Sequence, residues 1–187
     1  MATIEFFFDV ASPYTYLATT QIDAVGARAG ATVRWRPFLL GGVFRATGNQ
    51  PPAAVASRQP WLLRDLFLWA EHYGVPFQFP ACFPINALLP MRAIAGFDEA
   101  EIPAVAARIF RAYWVDGQDP SDPAVLTALL GEEAVARASA PEVKERLRQN
   151  TDEAVARGAF GAPTMFIGDQ MFFGNDRLHF VEAAARV

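Results

Sequence analysis

The sequence predicts an α/β fold in which the two ends of the chain build one mixed four-stranded sheet and the middle is an all-helical insertion. Three observations carry this. The opening reads strand–helix–strand, the stretch from Trp61 to Arg157 is dominated by helical spacing, and the chain after Gly161 returns to two short apolar runs and a last helix. On this reading residues 1–45 and 158–187 form one domain and residues 46–157 the inserted helical domain.

Each element has its own warrant. Ile4, Phe6, Phe7, Phe8 and Val10, around Glu5 and Asp9, make a buried strand. Ser12-Pro13 then starts a helix, since Ser is a favoured N-cap and Pro suits the first helical position. That helix is expected from Pro13 to about Arg28, with Tyr16, Leu17, Ile22 and Val25 on its buried side. Thr32–Arg36 alternates as a half-buried strand, and Pro37 makes it short or an edge. The crossover is expected to be right-handed, so the two strands should be parallel. Gly41–Pro60, with GG and GNQPP, reads as an irregular loop.

Helices are expected over Trp61–His72, Asn86–Gly96, Ile102–Trp114, Pro123–Leu130 and Pro141–Arg157, with an extended Val75–Pro80 between the first two. Glycines stand at or beyond several of their ends and prolines near several starts. Gly161–Ile167 and Gln170–Phe173 are strands joined by a Gly168-Asp169 turn, and Asn175 or Asp176 is the expected N-cap of the last helix.

Composition narrows the function. With 187 residues, 52% apolar and 19% charged, the chain is that of an ordinary globular domain. Its net charge of −4 is spread without a basic patch, so neither nucleic acid nor a membrane surface is an expected partner. No apolar run approaches a transmembrane span and the start lacks a secretory pattern, which makes a cytoplasmic location the expectation. Cys82 is the only cysteine, excluding an internal disulfide or a C-x-x-C pair. The two histidines, His72 and His179, stand far apart in sequence without a partner pattern, so no metal site or triad is expected.

Taken singly, Ser12 and Asp176 read as helix caps and Ala162-Pro163 as a strand start where a missing donor is tolerated. A cis bond at Pro163 would turn Ala162 outward to pair with an extended peptide. Together the element order and these turns resemble the thioredoxin fold with a helical insertion, as in DsbA-like proteins. Within that group the sequence is similar to the kappa-class glutathione transferases and, more closely, to the bacterial 2-hydroxychromene-2-carboxylate isomerases. The matching stretches are FDVASPYTYLA (8–18), GNQPP (48–52), AFGAPTMFIGDQMFFGNDRL (159–178) and, more weakly, FPINALLPMR (83–92).

The resemblance implies a thioredoxin-like fold, glutathione as cofactor and a homodimer. Ser12-Pro13-Tyr14-Thr15 stands where oxidoreductases of this fold carry C-x-x-C, and the Ser12 hydroxyl would hydrogen-bond the glutathione thiolate. A hydroxyl donor at a helix start suits a thiolate, as such positions lower cysteine pKa values. By the same resemblance Ala162 and Pro163 would meet the cysteinyl backbone, Asn175 and Asp176 the γ-glutamyl end, and Asn49 and Arg58 the glycyl end. Asn86 and Arg92 would hold the carboxylate and oxygens of a small aromatic substrate, although a solvated side chain is the commoner role for an Arg such as Arg92. Phe38, Trp61 and Phe83 would wall an acceptor pocket between sheet and insertion, or serve simply as core. The reaction implied is glutathione-dependent interconversion of 2-hydroxychromene-2-carboxylate and trans-o-hydroxybenzylidenepyruvate in aromatic catabolism. The alternatives are conjugation of an electrophile by a kappa-type transferase, or glutathione binding without redox chemistry.

Overall fold

Four strands, in the order β2-β1-β3-β4, form one mixed sheet in the computed structural model, which describes residues 1–186. β1 (Thr3–Phe8) runs parallel to β2 (Thr32–Pro37), in register from Thr3 opposite Thr32 to Phe8 opposite Pro37. On its other side β1 pairs antiparallel with β3 (Thr164–Ile167), which forms a hairpin with β4 (Gln170–Phe173). The expected parallel opening, edge position of the proline-ended strand and closing hairpin are all present.

β1 is nearly continuously apolar because it is central and covered on both faces. Ile4, Phe6 and Phe8 enter the larger core, where Trp35 packs edge-on against Phe6 and Phe8. Phe7 points the other way, against Phe38 and Phe166.

The larger core is built with α1 (Pro13–Thr19), α2 (Ile22–Ala29), α5 (Leu88–Ala95), α6 (Ile102–Trp114) and α10 (Leu178–Ala185). The opposite face is covered by α3 (Leu40–Thr47) and α9 (Pro141–Ala156). α4 (Gln59–Tyr73) packs on α1, while α7 (Pro123–Leu130) and α8 (Glu132–Arg137) pack together.

Several expectations needed correction. The single helix from Pro13 to Arg28 is two, broken at Thr20-Gln21. The Thr19 and Thr20 hydroxyls donate back to the carbonyls of Tyr16 and Leu17, competing with continued helix. The Gly41–Pro60 loop contains α3 and two 3₁₀ turns, Pro52–Ala54 and Ala56–Arg58. α3 forms because tertiary contacts favour it: Leu39 N–H donates to Thr151 Oγ1 at 2.9 Å. A Cβ on Gly42 would meet Thr151 Cγ2 at 3.0 Å. β1 stops at Phe8, β3 starts only at Thr164, and α8 had no counterpart among the expected helices. The last helix has no side-chain cap; a 3₁₀ turn, Asn175–Arg177, leads into it.

α9 is held to the sheet by a half-buried ionic network. Arg36 lies over the Phe7 ring and donates to Glu5 (2.8 Å), Glu153 (2.5 Å) and Asn150 (2.7 Å). Asn150 in turn donates to the Pro37 carbonyl at 2.9 Å, and Arg157 takes the other oxygen of Glu5 at 2.7 Å. Removing one partner from such a cluster strands the rest. Arg36→Leu is therefore expected to lower unfolding free energy by about 3 kcal/mol, read as a lower urea midpoint at unchanged slope.

Candidate active site

The turn between β1 and α1 carries Ser12, the residue expected at the centre of the site. Ser12 has extended backbone angles (φ −96°, ψ 119°) and caps α1, its Oγ accepting from Thr15 N–H at 3.2 Å with Pro13 just inside the helix. The same hydroxyl donates to the Ala162 carbonyl at 3.2 Å across 150 residues of sequence. Ser12 and Ala162 are only 5% and 9% exposed, so this is a near-buried junction between the two ends of the chain. The Ala162–Pro163 bond is cis, and the Pro163 carbonyl accepts from Gly174 N–H at 3.0 Å.

The 3₁₀ turn carrying Asn175 and Asp176 packs against α1. Asn175 is buried and meets Tyr73 of α4: Tyr73 hydroxyl donates to the Asn175 carbonyl at 3.0 Å. Asp176 pairs with Arg177 and is close enough to help raise the Tyr14 and Tyr73 phenols, although burial is the main cause in both. Tyr14 hydroxyl also donates to Asp65 of α4 at 2.7 Å, tying the first turn of α1 to that helix. Asn49 reaches the same neighbourhood by donating to the Phe160 carbonyl at 2.8 Å, two residues before Ala162.

Other expected residues are not joined to this cluster by any hydrogen bond or ion pair among the described residues. Arg58 is exposed in its 3₁₀ turn. Asn86 is exposed, and its Oδ1 accepts from Leu88 N–H at 3.1 Å, so it fastens the start of α5. Arg92 is half-buried on α5 with no ion-pair partner among the described residues. The aromatic wall is a correction. Phe38 is fully buried in the core under α3, Phe83 packs on Phe79 and Trp114 in the opposite core, and Trp61 is 61% exposed. One sheet separates Phe38 from Phe83, so the three cannot line one pocket. A cavity of about 370 Å³ does open between α1–α2 and α6, floored by Trp35 and Phe110, and holds none of the expected site residues.

Three features escaped the sequence reading. Asp9, three residues before Ser12, is fully buried, its two oxygens accepting from Ala11 N–H (2.9 Å) and Leu40 N–H (2.7 Å). Thr15, where a C-x-x-C pair would have its second cysteine, has a buried hydroxyl with no partner among the described residues. His72 and His179 share one cavity of about 270 Å³ with Asn175 and Asp176, so their sequence separation was no guide to their proximity. Only Asp9 had a usable signal: an acid between Phe8 and Val10 in an apolar run demands a partner.

Residues 3–186 match the family model described as a DSBA-like thioredoxin domain. A 2-hydroxychromene-2-carboxylate isomerase of Sphingobium xenophagum is 36% identical, over 97% of this chain and 96% of that one. The chain belongs to the DSBA-like thioredoxin family and, within it, to the 2-hydroxychromene-2-carboxylate isomerase family. A solved structure of 2-hydroxychromene-2-carboxylate isomerase superposes with a TM-score of 0.85 at 32% identity, over 97% of this chain and 93% of that one. Glutathione S-transferase kappa 2 of Caenorhabditis elegans is 29% identical, over 94% and 88% of the two chains. This member of the DSBA-like family thus has the fold of thiol–disulfide proteins with a hydroxyl at the helix start and no second thiol.

The site has a pH signature. Burial raises the Asp9 carboxyl from 3.8 to about 6, partly offset by the backbone donors of Ala11 and Leu40. Because its folded value lies above the unfolded one, its contribution to stability is complete below about pH 4 and lost as pH rises through about 6. Asp9→Asn cannot ionise. Between about pH 4 and pH 8 its stability relative to the parent is expected to improve by about 3 kcal/mol; denaturant melts across that range test this, and a constant difference contradicts it.

Proposed function

We propose that the protein is a glutathione-dependent isomerase interconverting 2-hydroxychromene-2-carboxylate and trans-o-hydroxybenzylidenepyruvate. The observation that carries this reading is the Ser12 hydroxyl, near-buried at a helix start and 3.2 Å from the Ala162 carbonyl. A single hydroxyl replaces the dithiol, so the site is suited to holding a thiol that belongs to a bound molecule. The family's isomerase relatives support the same conclusion.

The donor set fits glutathione. Ser12 can turn its hydroxyl from Ala162 to a thiolate, a charge-assisted bond stronger than the neutral one it replaces. Ala162 N–H has no acceptor among the described residues and suits the cysteinyl carbonyl. Asp176 suits the γ-glutamyl ammonium with Asn175 beside it, and Asn49 lies toward the glycyl end; Arg58 offers a guanidinium for the glycyl carboxylate. Glutathione, when bound, would supply a nucleophilic thiol for reversible addition to the substrate. The Ser12 hydroxyl would donate to that sulfur and favour its charged form. Tyr14, fastened to Asp65, keeps the first helical turn rigid around that sulfur. Asn86 and Arg92 are the proposed anchors for the substrate's oxygens.

Conjugation of another electrophile is the second reading, supported by the kappa-class relative. We place the protein in the cytoplasm as a homodimer; half-buried, unpaired Cys82 and the exposed apolar Trp61, Phe67 and Leu68 on α4 support these two assignments. Among the described residues no helix is long and apolar enough to cross a membrane.

The ultraviolet spectrum of 2-hydroxychromene-2-carboxylate, followed with and without catalytic glutathione, tests the activity. A glutathione-dependent approach to one equilibrium mixture from either side is expected, with total free glutathione constant; its steady loss into a product establishes the transferase instead. Ser12→Ala is expected to keep the fold, to raise the bound thiol's pKa, and to lower turnover by about tenfold or more, the worth of one hydrogen bond to a charged group. An unchanged thiolate absorbance titration with unchanged turnover removes Ser12 from the mechanism.

A further inference from the structure

The Asp9 carboxylate joins two segments that the chain keeps apart. One oxygen takes Ala11 N–H, in the turn that delivers Ser12; the other takes Leu40 N–H, the first residue of α3. α3 is two turns long and ends at Gly48, whose left-handed backbone (φ 71°) turns the chain into Asn49. Asn49 is then pinned to the Phe160 carbonyl, and Ala162 to Ser12. The segments carrying Ser12, Asn49 and Ala162 therefore form a closed ring of hydrogen bonds, in which Asp9 is the charged member. It lies at 1% exposure, so the Ala11 and Leu40 donors take the place of the water it has lost.

We propose that Asp9 is a positioning residue of the thiol site: by bridging Ala11 and Leu40 it sets the separation between the Ser12 hydroxyl and the Gly48-Asn49 turn, so that the sulfur and glycyl ends of one thiol tripeptide are engaged together. The inference rests on the glutathione reading above. It makes Asp9 responsible for how two contacts combine, and Asp9 touches neither ligand end itself. Asp9→Asn keeps the size but leaves one carbonyl acceptor, with an amide N–H facing the second donor. Leu40→Pro removes the bond on the α3 side and leaves the Ala11 bond in place, at the cost of some packing of Leu40 on the Phe7–Phe38 core. Pro is tolerated at the first position of a helix, and Leu39 already has the extended backbone (φ −104°, ψ 108°) that a following proline requires.

The test compares binding of glutathione with that of γ-glutamylcysteine, which lacks the glycine, by calorimetry on the parent and both variants. The parent is expected to bind glutathione about tenfold more tightly, a ratio worth about 1.4 kcal/mol. In Asp9→Asn and in Leu40→Pro the ratio is expected to fall below about threefold, as in Asn49→Ala. A merely structural carboxylate weakens both ligands alike and leaves the ratio unchanged; that result overturns the proposal, and Leu40→Pro decides it should Asp9→Asn fail to fold. A parent that binds both ligands equally overturns the two-ended positioning while leaving the glutathione reading intact. A parent that binds neither overturns the glutathione reading itself, and the positioning role with it.

Discussion

A buried turn whose every backbone polar group must find a partner inside the protein is the constraint on which the rest of this structure depends. Asp9, Val10 and Ser12 are 1%, 0% and 5% exposed, so water cannot satisfy them. Val10 N–H instead meets the Met91 sulfur of α5 at 3.4 Å, and the Val10 carbonyl accepts from the Trp114 indole of α6 at 2.8 Å. Ser12 N–H returns to the Asp9 carbonyl at 3.2 Å, and the Asp9 side chain takes Ala11 and Leu40. Two of these bonds close the turn on itself, and three reach different helices: Met91 of α5, Trp114 of α6 and Leu40 of α3. The helical insertion is thus fastened to the sheet at the point where the candidate chemistry lies.

The two faces of the sheet solve different problems. On the α5–α6 side, apolar packing of Phe6, Phe8, Trp35 and Phe110 does most of the holding, with aromatic rings edge-on or tilted at 5–6 Å. On the α9 side the core is smaller, and the guanidinium groups of Arg36 and Arg157 cover Phe7 and Phe166 while binding Glu5 and Glu153. Such a cluster contributes orientation more than net energy, since desolvation consumes much of the Coulombic gain. It presents α9 to α3 at a fixed height, and α3 in turn carries the Asn49 turn.

Replacing a dithiol by a hydroxyl changes what this architecture can do. A C-x-x-C site exchanges two electrons with another thiol or disulfide by opening and closing the bond between its two sulfurs, whereas Ser12 and Thr15 have no redox couple to offer. What remains is a polar helix start beside an Ala162 backbone N–H that has no acceptor among the described residues. The Thr15 hydroxyl is buried beside it with no partner among the described residues and offers no thiol.

The sequence by itself determined the parts whose signals are local. Ile102–Trp114 and Pro123–Leu130 are helices with the expected ends, because proline starts and apolar periodicity act within a few residues. The Gln170–Phe173 strand and its Gly168-Asp169 turn follow from the same kind of local chemistry. Ser12, Ala162 and Asn175 were legible as turn residues, and their family resemblance pointed to one site. Only the tertiary structure decided what depends on partners distant in sequence. α3 is a helix despite Gly41-Gly42 because Asp9 and Thr151 receive its first backbone donors and Gly42 allows α9 to approach. Phe38 and Phe83 fall on opposite sides of the sheet, and His72 and His179 on one cavity, for the same reason: local periodicity says which side of an element is apolar, and only packing says what that side meets.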